Sequence, residues 1–229
     1  MSDLVRTKIR DAVFGTQDGL VSTLGVMTGI AAGTGSQPTI VLAGCVVVVV
    51  EALSMAAGSY LSSRAQRQYL ERLLDDEWRS ITTDPEHERQ ELLQMYRQRG
   101  FTDEEIHVIA RRLFADKRWL LEDMAHKELG ISPARLEEPV SNAVVMGISY
   151  VLGGLVPVLP YVVLPVEAAM PASILAAAGG LFALGGLKGA LVRQRWWISG
   201  LEMLGVAGLA AAVGFTIGSL ARPILRVNH

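Results

Sequence analysis

Charge is missing from five long stretches of this chain, residues 19–50, 52–63, 140–166, 168–187 and 203–221. A helix needs about 20 apolar residues to cross a bilayer. The pattern therefore predicts five membrane spans, at 11–33, 39–62, 139–161, 171–192 and 198–220. Turn chemistry separates them, with Gly33-Thr-Gly-Ser-Gln-Pro38 after the first and Pro165 and Pro171 between the third and fourth. Small residues recur inside the spans, as in AAAGG, LGGLKGA and GVAGLAAAVG. They permit helix backbones to approach closely in lipid.

Between the second and third spans the pattern turns polar and helical. LSSRAQRQYLERLLDDEW contains no breaker, so the second span is expected to continue as a helix to about residue 82. Asp84-Pro85 supplies a cap and a first-turn proline for a helix over 85–99 that Gly100 ends. Thr102-Asp-Glu-Glu105 is a capping box opening a helix to about 115, and Asp116 can cap a last helix closed by Gly130. The fold expected is all-α, a polytopic membrane protein with five transmembrane helices and a cytoplasmic helical insert. Its segments are a hairpin of two spans (1–62), the insert (63–138) and spans three to five (139–229).

Composition sharpens this outline. Half of the 229 residues are apolar and only 19% are charged. Residues 64–137 hold 16 of the 23 acids and 13 of the 21 basic residues. A net charge of −2 with no basic run argues against nucleic acid as a partner. The single cysteine, Cys45, excludes an internal disulfide. No removable signal peptide is expected, and the first span serves as the insertion signal. Lys and Arg cluster near alternate span ends: Arg6, Lys8 and Arg10, then Arg64, Arg67 and Arg72, then Lys188, Arg193 and Arg195. That alternation places the N-terminus and the insert in the cytoplasm. The excess of arginine over lysine, 17 against 4, points to a prokaryotic plasma membrane.

Asp18 is the residue this outline does not explain. An ionised aspartate in hydrocarbon costs about 2.5–3.5 kcal/mol on insertion scales, so something must offset it. Asp18 lies seven residues inside the first span and Met55 seven residues inside the second, so both sit roughly 10 Å deep. Glu51 shares the Met55 face one turn deeper, and Ser22 repeats the Asp18 face. Two carboxylates, a thioether and a hydroxyl along one seam suit a transition metal, because soft sulfur favours Fe(II) or Co(II) over Mg(II). The insert carries further candidates: Glu77, the Glu88/Glu91 and His87/Glu91 pairs, and Met124 with Glu128 one turn on, beside Asp123 and His126.

DAVFGTQDGLVSTLGVMTGIA, EALSMAAGSYLSSRAQ and SGLEMLGVAGLAAAVGFTIG resemble the vacuolar iron transporter family. The resemblance covers nearly the whole chain. It implies export of Fe(II), and of Mn(II) or other divalent ions, from the cytosol in exchange for protons. It also implies a homodimer with its path between the subunits' first two spans and a metal-binding insert. No prosthetic group is implied; the metal is cargo. The family's first-span aspartate falls on Asp18 and its Ser-Met methionine on Met55. Its insert ligands fall on Glu77, Glu88, Glu91, Met124 and Glu128. The chain departs from the family at Gly58-Ser59-Tyr60, where members carry glutamate in the middle position, and Glu202 fits the family pattern with Lys188 as a candidate partner. In a eukaryote the membrane would be vacuolar.

Two other classes compete. Glu104-x-x-His107 with Asp123-x-x-His126 would suit a membrane-tethered di-iron oxidase, although such bundles use two Glu-x-x-His motifs. A metal-sensing scaffold would leave Asp18 and Glu51 without a purpose. The chain is therefore expected to be a transporter and not an enzyme.

Overall fold

The computed structural model describes residues 3–127, 130, 138–191 and 193–226, without the side chains of 3–6 and 224–226. The described residues form eight helices and no strand: α1 (Asp3–Thr34), α2 (Gln37–Thr83), α3 (Pro85–Gln98), α4 (Asp103–Leu113), α5 (Lys117–Lys127), α6 (Pro139–Val163), α7 (Val166–Leu191) and α8 (Trp196–Arg226). Among them α2, α6, α7 and α8 are long and apolar enough to cross a membrane. α1 is not in that set, because Asp11, Gln17 and Asp18 interrupt its first half.

Several boundaries differ from the sequence pattern. The first turn closes at Gly35 with φ of 64°, and Pro38 already lies in the first turn of α2. α7 begins at Val166 and carries Pro171 inside it. Pro165 accepts the first backbone bonds from Ala168 and Ala169, so the helix is nucleated before Pro171 removes one donor.

The chain divides into two compact units, Met1–Tyr60 with Pro139–His229, and Leu61–Glu138. In the first unit α1 packs against α6 on one side and α8 on the other. Glycine makes both contacts possible. A Cβ at Gly19 would strike the Tyr150 carbonyl of α6, and one at Gly153 would strike the Thr16 carbonyl of α1. Toward α8, Cβ atoms at Gly214 and Gly218 would strike the carbonyls of Gly25 and Gly29. In lipid no hydrophobic force drives helices together, so backbone contact at small residues supplies the packing. Leu20, Leu24, Leu181 and Met203 fill one core, while Met27, Ile40, Val158 and Tyr161 fill another. The inner face of α2, with Gly44, Val48 and Ala52, is buried, while Leu42, Val46, Val49, Val50 and Leu53 remain exposed.

The second unit has its own core of Ile81, Leu92, Tyr96, Ile106, Leu120 and Met124. Its helices start as the pattern predicts. The Asp84 side chain accepts from the His87 amide at 3.2 Å. Thr102 and Glu105 form both halves of the capping box. Gly100 and Gly130 have φ of 87° and 67°, the left-handed geometry that glycine tolerates after a helix.

Gly214→Val should destabilise the first unit by about 1–3 kcal/mol through overpacking. Gly179→Ala, whose Cβ would meet nothing within 4 Å, should not lower stability. Thermal melts of the detergent-solubilised protein compare the two. A second outcome concerns Glu105, whose carboxyl is held below the usual carboxylate range by the Thr102 amide and hydroxyl. A depressed folded value means the capping-box contribution is complete above the unfolded value of about 4.3 and is lost as pH falls through the folded value. The stability difference between the parent and Glu105→Ala should therefore shrink in acid; a difference unchanged down to about pH 3 would contradict it.

Candidate functional site

Glycine spacing on α6 builds the site. Gly147, Tyr150 and Gly153 lie three residues apart on one face. The Ala56 methyl of α2 sits 3.2 Å from where a Cβ at Gly147 would be, while Gly153 seats α1. Tyr150 thus stands where α1, α2 and α6 meet, and it is fully buried. A phenol in that position must find a partner, since an unpaired buried hydroxyl is costly. It donates to Glu51 Oε2 of α2 at 2.7 Å. The same hydroxyl also neighbours Ser22 and the charge of Asp18.

On α1, Ser22 Oγ donates to Asp18 Oδ1 at 3.3 Å. Asp18 is half-buried and lies within electrostatic reach of Glu51. The two bonds differ in quality. At 2.7 Å the Tyr150–Glu51 bond has ideal O–H···O length, whereas 3.3 Å is beyond the usual range of about 2.5–3.0 Å. Glu51 is held firmly and Asp18 loosely. A carboxylate offers about four acceptor positions, so most of Asp18's lone pairs remain for a cation.

The structure therefore brings together Asp18, Ser22 and Glu51 of the expected seam, and adds Tyr150. Met55 is half-buried one turn from Glu51 and stands outside this hydrogen-bonded set. Tyr150 was overlooked in the sequence because it lies in an uncharged span. Its signal was a lone phenol between two glycines at helical spacing in GISYVLGG. Ser22 also lines an apolar groove of about 570 Å³ between α1 and α8, with Gly25, Gly29 and Gly214 along its walls.

In the second unit Glu77 and Glu88 are buried, at 8% and 4% exposure. Glu91 is half-exposed, 3.9 Å from His87 Nε2. Met124 is fully buried in the unit's apolar core, a packing position in this conformation. Glu128 lies outside the described residues. Asp123 is taken by Lys127 Nζ at 2.6 Å and by the Tyr96 hydroxyl at 3.1 Å, and Lys127 stacks 3.6 Å from the Tyr96 ring centroid. Glu104, His107 and His126 are exposed. Among the described residues no three His, Cys, Asp or Glu side chains are grouped to hold a metal. Glu202 and Lys188 are both exposed and do not pair.

The VIT family profile matches residues 9–219. Vacuolar iron transporter 2 of Oryza sativa subsp. japonica is 29% identical over 217 residues, covering 94% of this chain and 88% of that protein. Vacuolar iron transporter 1 of Arabidopsis thaliana is 27% identical over 215 residues, covering 93% and 86%. Vacuolar iron transporter of Toxoplasma gondii is 26% identical over 231 residues, covering 96% and 76%.

Tyr150→Phe keeps the ring and removes the donor to Glu51. It should cost about 0.5–1.5 kcal/mol of stability, the net value of one such bond. In a Glu51→Ala background the same change should cost little, because the pair is already broken. Denaturation midpoints of the four proteins in the cycle measure the coupling.

Proposed function

The chain belongs to the VIT family, and from that premise we propose that it carries a divalent transition metal, Fe(II) first among them, out of the cytosol. The relatives are named as transporters, and the chain is not an enzyme. The observation that carries the proposal is the loosely held Asp18 facing a Glu51 that Tyr150 fixes in place. A cation between these carboxylates offsets the cost of keeping both acids at membrane depth.

In this mechanism the N-terminus and the insert lie in the cytoplasm, and α1, α2, α6, α7 and α8 span the membrane. Glu77, Glu88 and Glu91 of the insert, with Met124 and Glu128 where the resemblance puts them, receive the incoming ion. It sheds water to Asp18 and Met55, then passes Ser22 and Glu51. Sulfur at Met55 biases the choice toward Fe(II) or Co(II) over Mg(II), and the carboxylates also admit Mn(II) and Zn(II). Asp18 and Glu51 of one copy bring two carboxylates to this seam, and the exposed apolar face of α2 suits a second copy, whose Asp18 and Glu51 would complete a symmetric path. Protons returning inward use the same oxygens. Metal binds the deprotonated carboxylate, so proton and metal compete and the two fluxes couple. Ser59 replaces a family glutamate in this chain, which makes Glu51 the remaining acid of the second span. The membrane is the plasma membrane in a prokaryote and the vacuolar membrane in a eukaryote.

Asp18→Asn should insert normally yet lose transport by more than about tenfold, equivalent to about 1.4 kcal/mol in the barrier. Uptake of Fe(II), Mn(II), Co(II) and Zn(II) into proteoliposomes holding a metal-sensitive dye, with and without a pH gradient, provides the measurement. Undiminished flux in Asp18→Asn would remove that residue from the path, and flux indifferent to the gradient would remove proton exchange.

A further inference from the structure

One concavity in the insert has a chemistry opposite to metal collection. It encloses about 400 Å³ and is lined by Arg89, His107, Ala110, Arg111, Phe114 and Ala115. Among the described residues its lining holds no carboxylate, in a segment where acids outnumber basic residues 16 to 13. His107 and Arg111 are one turn apart on α4, and Arg89 reaches the same space from α3. The negative end of α4 accounts for Arg111 alone and not for Arg89 facing the same space.

Elsewhere in the unit Arg67 pairs with Glu71 at 2.8 Å, Arg97 with Asp103 at 2.9 Å and Lys127 with Asp123, while Arg72, Arg99, Arg112, Lys117 and Arg118 stand exposed and do not line this concavity. Arg89, His107 and Arg111 enter no ion pair or hydrogen bond among the described residues. Two of the three acids in α4's first turn are engaged elsewhere, Asp103 by Arg97 and Glu105 by Thr102. Converging like charges repel, and an anion between them reverses the sign of that interaction.

We propose that this pocket binds a phosphate-bearing anion, with Arg89 and Arg111 as its principal ligands and His107 as a third donor. Guanidinium groups match phosphate oxygens in pairs, and neither can surrender its proton to bind a metal instead. The volume lies within the range of about 300–1,000 Å³ typical of small-molecule sites. That leaves room beside the phosphate for an attached group against the Phe114 ring. The phosphate can come from a soluble metabolite or from a phospholipid headgroup. The site is independent of the transport path.

The test uses the full-length protein, with inorganic phosphate as probe and chloride at equal ionic strength as control. In detergent free of anionic lipid, phosphate should bind and raise the melting temperature. Arg89→Gln and Arg111→Gln should each weaken binding by about tenfold. Arg111→Lys, which keeps the charge and loses the fork, should fall between parent and Arg111→Gln. These side chains are exposed, so the variants should melt like the parent without phosphate, and Asp18-dependent metal flux gives a separate check of folding. Nanodiscs of phosphatidylcholine alone and with phosphatidylglycerol distinguish the sources. Weaker phosphate binding only in the anionic discs identifies a headgroup ligand, and equal binding in both identifies a soluble one. Phosphate no better than chloride in every setting, or binding unaffected by either Arg→Gln change, would overturn the proposal.

Discussion

At Gly19 and Gly153 the backbones of α1 and α6 come so close that neither position has room for a methyl group. Backbone contact of this kind stands in for the hydrophobic effect, which lipid does not provide between helices. It fixes Asp18, one residue from the contact, against Tyr150, whose own carbonyl is the atom Gly19 meets. The same device at Gly25, Gly29, Gly214 and Gly218 ties the far half of α1 to α8. α1 is not among the helices apolar enough to cross a membrane, and it packs against α6 and α8.

From that grip follows an asymmetry between two acids. Glu51 receives a short bond from a buried phenol, while Asp18 has only a long one from a neighbouring serine. A firmly oriented carboxylate makes a fixed wall, and a loosely bonded one can turn to meet an ion. In the proposed path an ion would meet both, since a site must bind well enough to admit it and weakly enough to release it.

The insert divides its charges differently. Its core draws in Met124 in this conformation, and Asp123 accepts from Lys127 and from the Tyr96 hydroxyl. Glu77 and Glu88 are buried inside the unit, while Arg89 and Arg111 line one concavity.

Much of the architecture was legible in the sequence because its causes are local. A charge-free run long enough to span, a capping box at Thr102 and glycines at the left-handed positions 35, 100 and 130 depend on neighbours within a few residues. The Asp18–Ser22 pairing was likewise readable, being one helical turn apart. The start of α7 was not, because Pro165 and Pro171 offer the same local signal and only the formed helix chooses between them. Nor was Tyr150, whose partner is 99 residues away on another helix. Which acid gets a strong donor, which methionine is buried and which basic side chains are left facing each other depend on how separate helices cross. Tertiary packing alone decides that, because only it brings distant side chains within the roughly 3 Å at which hydrogen bonds and ion pairs act.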